Sequence, residues 1–164
     1  MTHFKFQSRS EIATALSVLL LEAIAKPKTT SAFCAISPTV PEKPDIIVPV
    51  PLHWTRHWKR GFNQATLLAH PVGQQLNIKV VHALSRRRRT QAQTLVKKTR
   101  RKRNLNNAFQ IRTDVKGLHV ALIDDVVTTG ATASAAARVL LQNSASSVRV
   151  WACVRASNKH QSGR

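Results

Sequence analysis

The sequence predicts an α/β domain with a mainly parallel central sheet flanked by helices. Two observations carry this. Short apolar runs of strand type, at residues 45–49, 119–123 and 148–154, alternate with stretches of helical pattern, at 63–76 and from 133 to about 142. The middle run passes directly into a Thr/Gly turn and then a helix, the unit whose ligands sit beyond the carboxyl ends of the strands. With 164 residues and 43% hydrophobic content, the chain is long enough for a single well-formed core.

Taken in order, residues 3–6 read as a short strand. Ser8-Arg9-Ser10-Glu11 has capping-box spacing, and residues 12–25 are helical in pattern, with Pro27 as a stop. Pro38, Pro41 and Pro44 mark a linker. Residues 45–49 form a compact apolar strand that Pro49-Val50-Pro51 terminates. The segment 52–64 is basic and aromatic. Its Trp54 and Trp58 fit either base stacking or packing beneath a loop, and packing is the commoner role. A helix over 63–76 contains Pro71, which calls for a kink or a shorter first helix. Brief strands are expected at 79–81 and 108–111, and a disordered tail from Ser157. One domain over 1–156 and a tail over 157–164 is the expected organisation.

The run Val120-Ala121-Leu122-Ile123 is that of a buried strand. It is followed by Asp124 and Asp125, then Val126, Val127, Thr128, Thr129, Gly130, Ala131 and Thr132. A helix that starts here presents backbone N–H groups with no internal partner, at the positive end of its dipole, and so attracts an anion. Gly130 permits close backbone approach or a positive φ. Acids beside such a cradle suit a ligand that carries hydroxyls, or a metal, next to its phosphate. The chain has only 7 acidic residues, so two adjacent at a strand end are informative. The bland alternative is an N-capping Asp or Thr in a tight turn.

The net charge is +19, which attracts polyanions of any kind: nucleic acid, a polyphosphate substrate or an anionic membrane surface. Residues 86–103 hold 10 of the 26 cations and no acid. The two cysteines, Cys34 and Cys153, are far apart and build no zinc site on usual spacings; reduced, buried thiols are the simpler reading. No apolar run reaches spanning length, and the N-terminus lacks the pattern of a signal peptide, so a soluble cytoplasmic protein is expected.

The segment from Leu122 to Thr132 resembles the 5-phosphoribosyl-1-pyrophosphate (PRPP) loop of type I phosphoribosyltransferases. Further segments are similar to one branch, the ComF/GntX family implicated in natural competence for DNA uptake. They are Phe4-Lys5-Phe6; Ile47 to His53 followed by Arg60-Gly61-Phe62-Asn63-Gln64; and Arg86, Arg88, Thr90, Gln93, Arg101, Asn104, Ala108 and Phe109. Together they span nearly the whole chain. The resemblance implies a single-domain type I phosphoribosyltransferase-like fold with a basic flexible loop over 86–103. It implies that Asp124 and Asp125 bind the ribose hydroxyls, and that Thr128, Thr129, Gly130, Ala131 and Thr132 wrap the 5′-phosphate. Pro49, Val50, Pro51, Leu52 and His53 would form the pyrophosphate loop, with Arg60 reaching its oxygens. Loop cations, with Arg86, Arg88 and Arg101 as candidates, would stabilise the departing pyrophosphate. Mg²⁺ would be held mainly by PRPP itself rather than by the protein.

The family usually carries an N-terminal zinc ribbon with four Cys; this sequence lacks it, so no zinc is expected. His70-Pro71 is atypical for the family, and no motif identifies an acceptor pocket. Two functions therefore stand at this point. One is a PRPP-binding protein or phosphoribosyltransferase linked to competence. The other is a non-catalytic competence factor that keeps the fold and binds single-stranded DNA or proteins of the competence machinery.

Overall fold

A computed structural model of the chain describes residues 3–25, 33–35, 43–52, 62–86 and 108–155. Its centre is a five-stranded sheet with the order β1-β7-β6-β2-β3. The strands are β1 (Phe33–Ala35), β2 (Ile46–Pro49), β3 (Lys79–Val80), β6 (His119–Val127) and β7 (Ser147–Arg155). The four strands β3, β2, β6 and β7 run parallel, and β1 closes one edge antiparallel to β7. A separate antiparallel ribbon pairs β4 (Leu84–Arg86) with β5 (Phe109–Ile111). The helices among the described residues are α1 (His3–Ala25), α2 (Gln64–Leu76) and α3 (Ala131–Gln142). The expected fold class, an α/β domain on a mainly parallel sheet, is what the chain adopts.

Residues 120–123 of β6 are buried on both faces, as the middle of a central parallel strand must be. Val120 and Leu122 meet Ala133, Ala136, Ala137 and Leu140 of α3 and Phe109 of the ribbon. Ala121 and Ile123 meet Leu68, Ala69 and Val72 of α2, Leu20 of α1, and Trp151. The alanines of α3 let helix and sheet approach closely. Gly73 does the same for α2: a Cβ built there would stand 2.7 Å from Val80 Cγ2 and 2.8 Å from the Ile78 carbonyl oxygen. Trp151 is fully buried with its Nε1–H unpartnered, a cost offset by the area the ring removes from water.

This topology creates a crevice. The connection from β2 leads to α2 on one face of the sheet, and the connection from β6 leads to α3 on the other. β2 and β6 are neighbours and the helices that follow them lie on opposite faces, which makes this the switch point where open α/β sheets bind ligands.

Several expectations need correction. Residues 3–6 are the first turns of α1 rather than a strand, and Ser8-Arg9-Ser10-Glu11 lies within that helix instead of starting it. Two alternating Phe residues without a pairing strand do not outweigh a continuing helix. Of the two outcomes expected at Pro71, the shorter first helix is not formed: α2 continues through it, with Leu68, Ala69 and Val72 buried on either side. β6 continues four residues past Ile123, since β7 goes on pairing with it as far as Val127↔Arg155. Register pairs Cys34 with Val150, three positions from Cys153, about 10 Å along the strand and beyond the reach of a disulfide. Trp54, Trp58 and the tail from Ser157 lie outside the described residues. No described helix is long and apolar enough to cross a membrane.

Candidate functional site

The carboxyl ends of β2 and β6 bring the acid pair and two loops together. Parallel register sets Pro49 beside Ile123, and the Val50 N–H donates to the Ile123 carbonyl at 2.8 Å. The segment after β2 therefore leaves the sheet directly beside Asp124. Asn63 fixes its course. Its Nδ2 donates to the Val50 carbonyl at 3.0 Å, while its Oδ1 accepts from the Ala65 N–H at 3.2 Å as the N-cap of α2. One side chain thus ties the start of α2 to the loop after β2. This positioning role of Asn63 was not legible in the sequence, although its motif was.

Asp124 and Asp125 stand on β6 itself, not in the loop. Strand alternation puts Asp124 on the side of Leu122 and Asp125 on the side of Ile123. The two remain coupled: the Asp125 N–H donates to Asp124 Oδ1 at 3.0 Å. The Asp124 carboxyl is pushed up to about 7, chiefly by burial, with a side-chain hydrogen bond to Asp125 and the Asp125 charge acting in the same direction and the Asp125 N–H and the Arg86 guanidinium opposing them. These two partners do not offset burial, and further hydroxyl donors or a cation would favour the charged form. Arg86, on β4, lies over the Phe109 ring at 5.1 Å from its centroid and is the described cation whose field reaches Asp124. On the other side, burial and the Asp125 charge push the Cys153 thiol up to about 11, so it is an inert packing group rather than a nucleophile.

The loop after β6 follows. Thr128 and Thr129 are exposed. Gly130 is the N-cap of α3 with φ 72° and ψ −2°, a left-handed conformation suited to glycine. No side chain caps this helix; Thr129 Oγ1 accepts from the Ala131 N–H only at a long 3.4 Å. The capping role considered for Thr128 or Thr129 is not the one adopted. The first N–H groups of α3 are left without a strong side-chain acceptor, next to two carboxylates.

Of the residues singled out from sequence, the structure brings together Pro49, Val50, Asp124, Asp125, Thr128, Thr129, Gly130, Ala131 and Thr132, with Arg86 close enough to act on Asp124. Pro51 and Leu52, both half-buried, follow the buried Val50. His53, Arg60, Arg88 and Arg101 lie outside the described residues.

A family model described as "Phosphoribosyl transferase domain" matches residues 59–163. The DNA utilization protein YhgH of Escherichia coli (strain K12) is 44% identical over 153 residues, covering 92% of this chain and 63% of that protein. Competence protein F of Haemophilus influenzae is 33% identical over 157 residues, 93% of this chain and 65% of that protein. The chain thus spans less than two thirds of the length of these relatives. Among solved structures, the glutamine phosphoribosylpyrophosphate amidotransferase of B. subtilis, in complex with ADP and GMP, aligns with a TM-score of 0.53 at 16% identity. That alignment covers 85% of this chain and 26% of the amidotransferase, and likens the two in fold.

Proposed function

The chain belongs to the phosphoribosyl transferase domain family, in its ComF-type branch, and from that premise we propose that the crevice between β2 and β6 binds PRPP. One observation carries this reading: an acid pair at the end of β6 adjoins the uncapped N-terminus of α3 and faces the end of β2 across the switch point. The three parts of PRPP call for those three environments. The 5′-phosphate takes the N–H groups and hydroxyls of Thr128, Thr129, Gly130, Ala131 and Thr132. The ribose hydroxyls donate to Asp124 and Asp125, replacing the solvation that burial removes. The diphosphate extends toward Pro49, Val50, Pro51, Leu52 and His53, with Arg60, Arg86, Arg88 and Arg101 as its cations.

Mg²⁺ fits this donor set as part of the ligand. The crevice offers two adjacent carboxylates, and no cluster of three or more His, Cys, Asp or Glu able to hold a metal occurs among the described residues. An ion held chiefly by diphosphate oxygens needs few protein ligands, and bound there it would neutralise their charge. Cations of the protein would stabilise the diphosphate as a leaving group.

The names of the relatives, DNA utilization protein and Competence protein F, support a role in DNA handling, which we extend to this chain, and we propose that it acts in the cytoplasm. The charge of +19 favours a second activity alongside the first, binding of single-stranded DNA. The test is the double variant Asp124→Asn, Asp125→Asn. It should lose Mg²⁺-dependent PRPP binding while keeping or strengthening DNA binding. Normal PRPP affinity in that variant would remove Asp124 and Asp125 from the site.

A further inference from the structure

The β4–β5 ribbon has two faces of opposite character. Register pairs Leu84 with Ile111, Ser85 with Gln110 and Arg86 with Phe109. Leu84 and Phe109 are in the core, so alternation sends Ser85 and Gln110 to the other face, and Arg112 continues that face one step beyond the strand. There the three side chains close a network. Arg112 Nε donates to Ser85 Oγ at 2.8 Å. With the Gln110 amide assigned the orientation that this donor set requires, its oxygen accepts from Arg112 Nη2 at 2.7 Å, from Arg112 Nε at 3.3 Å and from Ser85 Oγ at 3.0 Å. The Arg112 N–H also donates to the Ala83 carbonyl at 2.7 Å, fixing the backbone beneath.

Both partners of this guanidinium are neutral. Arg112 is exposed, and among the described residues it forms no ion pair. The nearest acid in sequence is Asp114, whose Oδ1 accepts from the Lys116 N–H. Of the five N–H donors of a guanidinium, the bonds to Ser85 and Gln110 use Nε and one on Nη2, and the residue is exposed. Ordinarily an arginine on a surface is mobile and its charge is well screened. Here the fork is held by neutral partners with no acid paired to it among the described residues, the arrangement that suits two oxygens of a phosphate.

We propose that Arg112, pinned by Ser85 and Gln110, is a backbone-phosphate contact for single-stranded nucleic acid. Among the described residues this face is the polar set Ser85, Gln110 and Arg112, and a chain of charge +19 draws a dense polyanion to it. The inference rests on the nucleic-acid reading above and is independent of the PRPP crevice.

The test is the affinity of full-length variants for an oligo-dT strand across a salt series, with circular dichroism to verify folding. Arg112→Gln should weaken binding about fivefold and flatten the log–log salt slope by about 0.7. Arg112→Lys should keep the slope and lose part of the affinity, since charge remains but the fork does not. Ser85→Ala with Gln110→Ala, which leaves the charge and frees the fork, should weaken binding two- to threefold at unchanged slope. Lys79→Gln, removing an exposed cation on the edge strand, is the control for net charge. If Arg112→Gln lost no more than Lys79→Gln, Arg112 would be ordinary surface charge and the inference overturned. Equal losses on anionic vesicles and on oligo-dT would overturn it in favour of a membrane partner. Failure of the unaltered protein to bind oligo-dT would remove the nucleic-acid reading itself.

Discussion

Replacing Asp124 by Asn should make the unliganded protein more stable at pH 8. In the fold this carboxyl holds its proton up to about 7, whereas in the unfolded chain it loses it near 3.8. Between those values the native state binds more protons than the unfolded state, so unfolding free energy falls as pH rises across that window. A tenfold change in proton affinity is worth about 1.4 kcal/mol, so full ionisation costs the fold on the order of 4 kcal/mol. Asn keeps an oxygen for the Asp125 N–H and has no charge to desolvate. The difference in unfolding free energy between the variant and the parent should therefore grow from near zero at pH 4 to about 1–4 kcal/mol at pH 8. For a chain of this size each kcal/mol moves Tm by roughly 2–4 °C. Urea titrations at half-unit pH steps measure this directly, and taking the difference cancels the other titrating groups. A difference that stays flat from pH 4 to pH 8 would refute the claim that burial of Asp124 is an energetic burden.

Two further substitutions probe what positions the crevice. Asn63→Ala removes both the α2 cap and the anchor on the Val50 carbonyl and should cost about 1–3 kcal/mol by urea unfolding; Asn63→Asp should recover the cap alone, so equal losses in both variants would show that the cap contributes nothing. Gly73→Ala, which in an open helix stabilises by up to about 1 kcal/mol, should instead destabilise by about 1–3 kcal/mol, because the added Cβ meets the Ile78 carbonyl oxygen and Val80; a raised Tm would contradict the close packing of α2 on β3.

What could be read from sequence was what is local. The β6–loop–α3 unit declares itself because an apolar run, two acids, a glycine and an alanine-rich helix are contiguous between Val120 and Leu141. β4 did not, because Leu84-Ser85-Arg86 opens a basic run and becomes a strand only through pairing with Phe109–Ile111, more than twenty residues on. The extension of β6 through Asp124 and Asp125 likewise depends on β7, and it changes where the acids stand. β1 is three residues long and is held by β7 alone. The double role of Asn63, the reach of Arg86 to Asp124 and the Ser85–Gln110–Arg112 network join residues distant in sequence without any periodicity. In the crevice, the chemistry of each residue was visible beforehand, and its geometry depended on strand pairing.

The central claim is that the acids and the uncapped helix form one PRPP site, and calorimetric titration of Mg²⁺–PRPP into the protein tests it most directly. Ribose 5-phosphate serves as the comparison ligand and the Asp124→Asn, Asp125→Asn variant as the control. The account predicts saturable binding at one site per chain that needs Mg²⁺, weakens when the diphosphate is missing and vanishes in the double variant. A folded protein that binds neither ligand, or binds both equally with and without Mg²⁺, would contradict it.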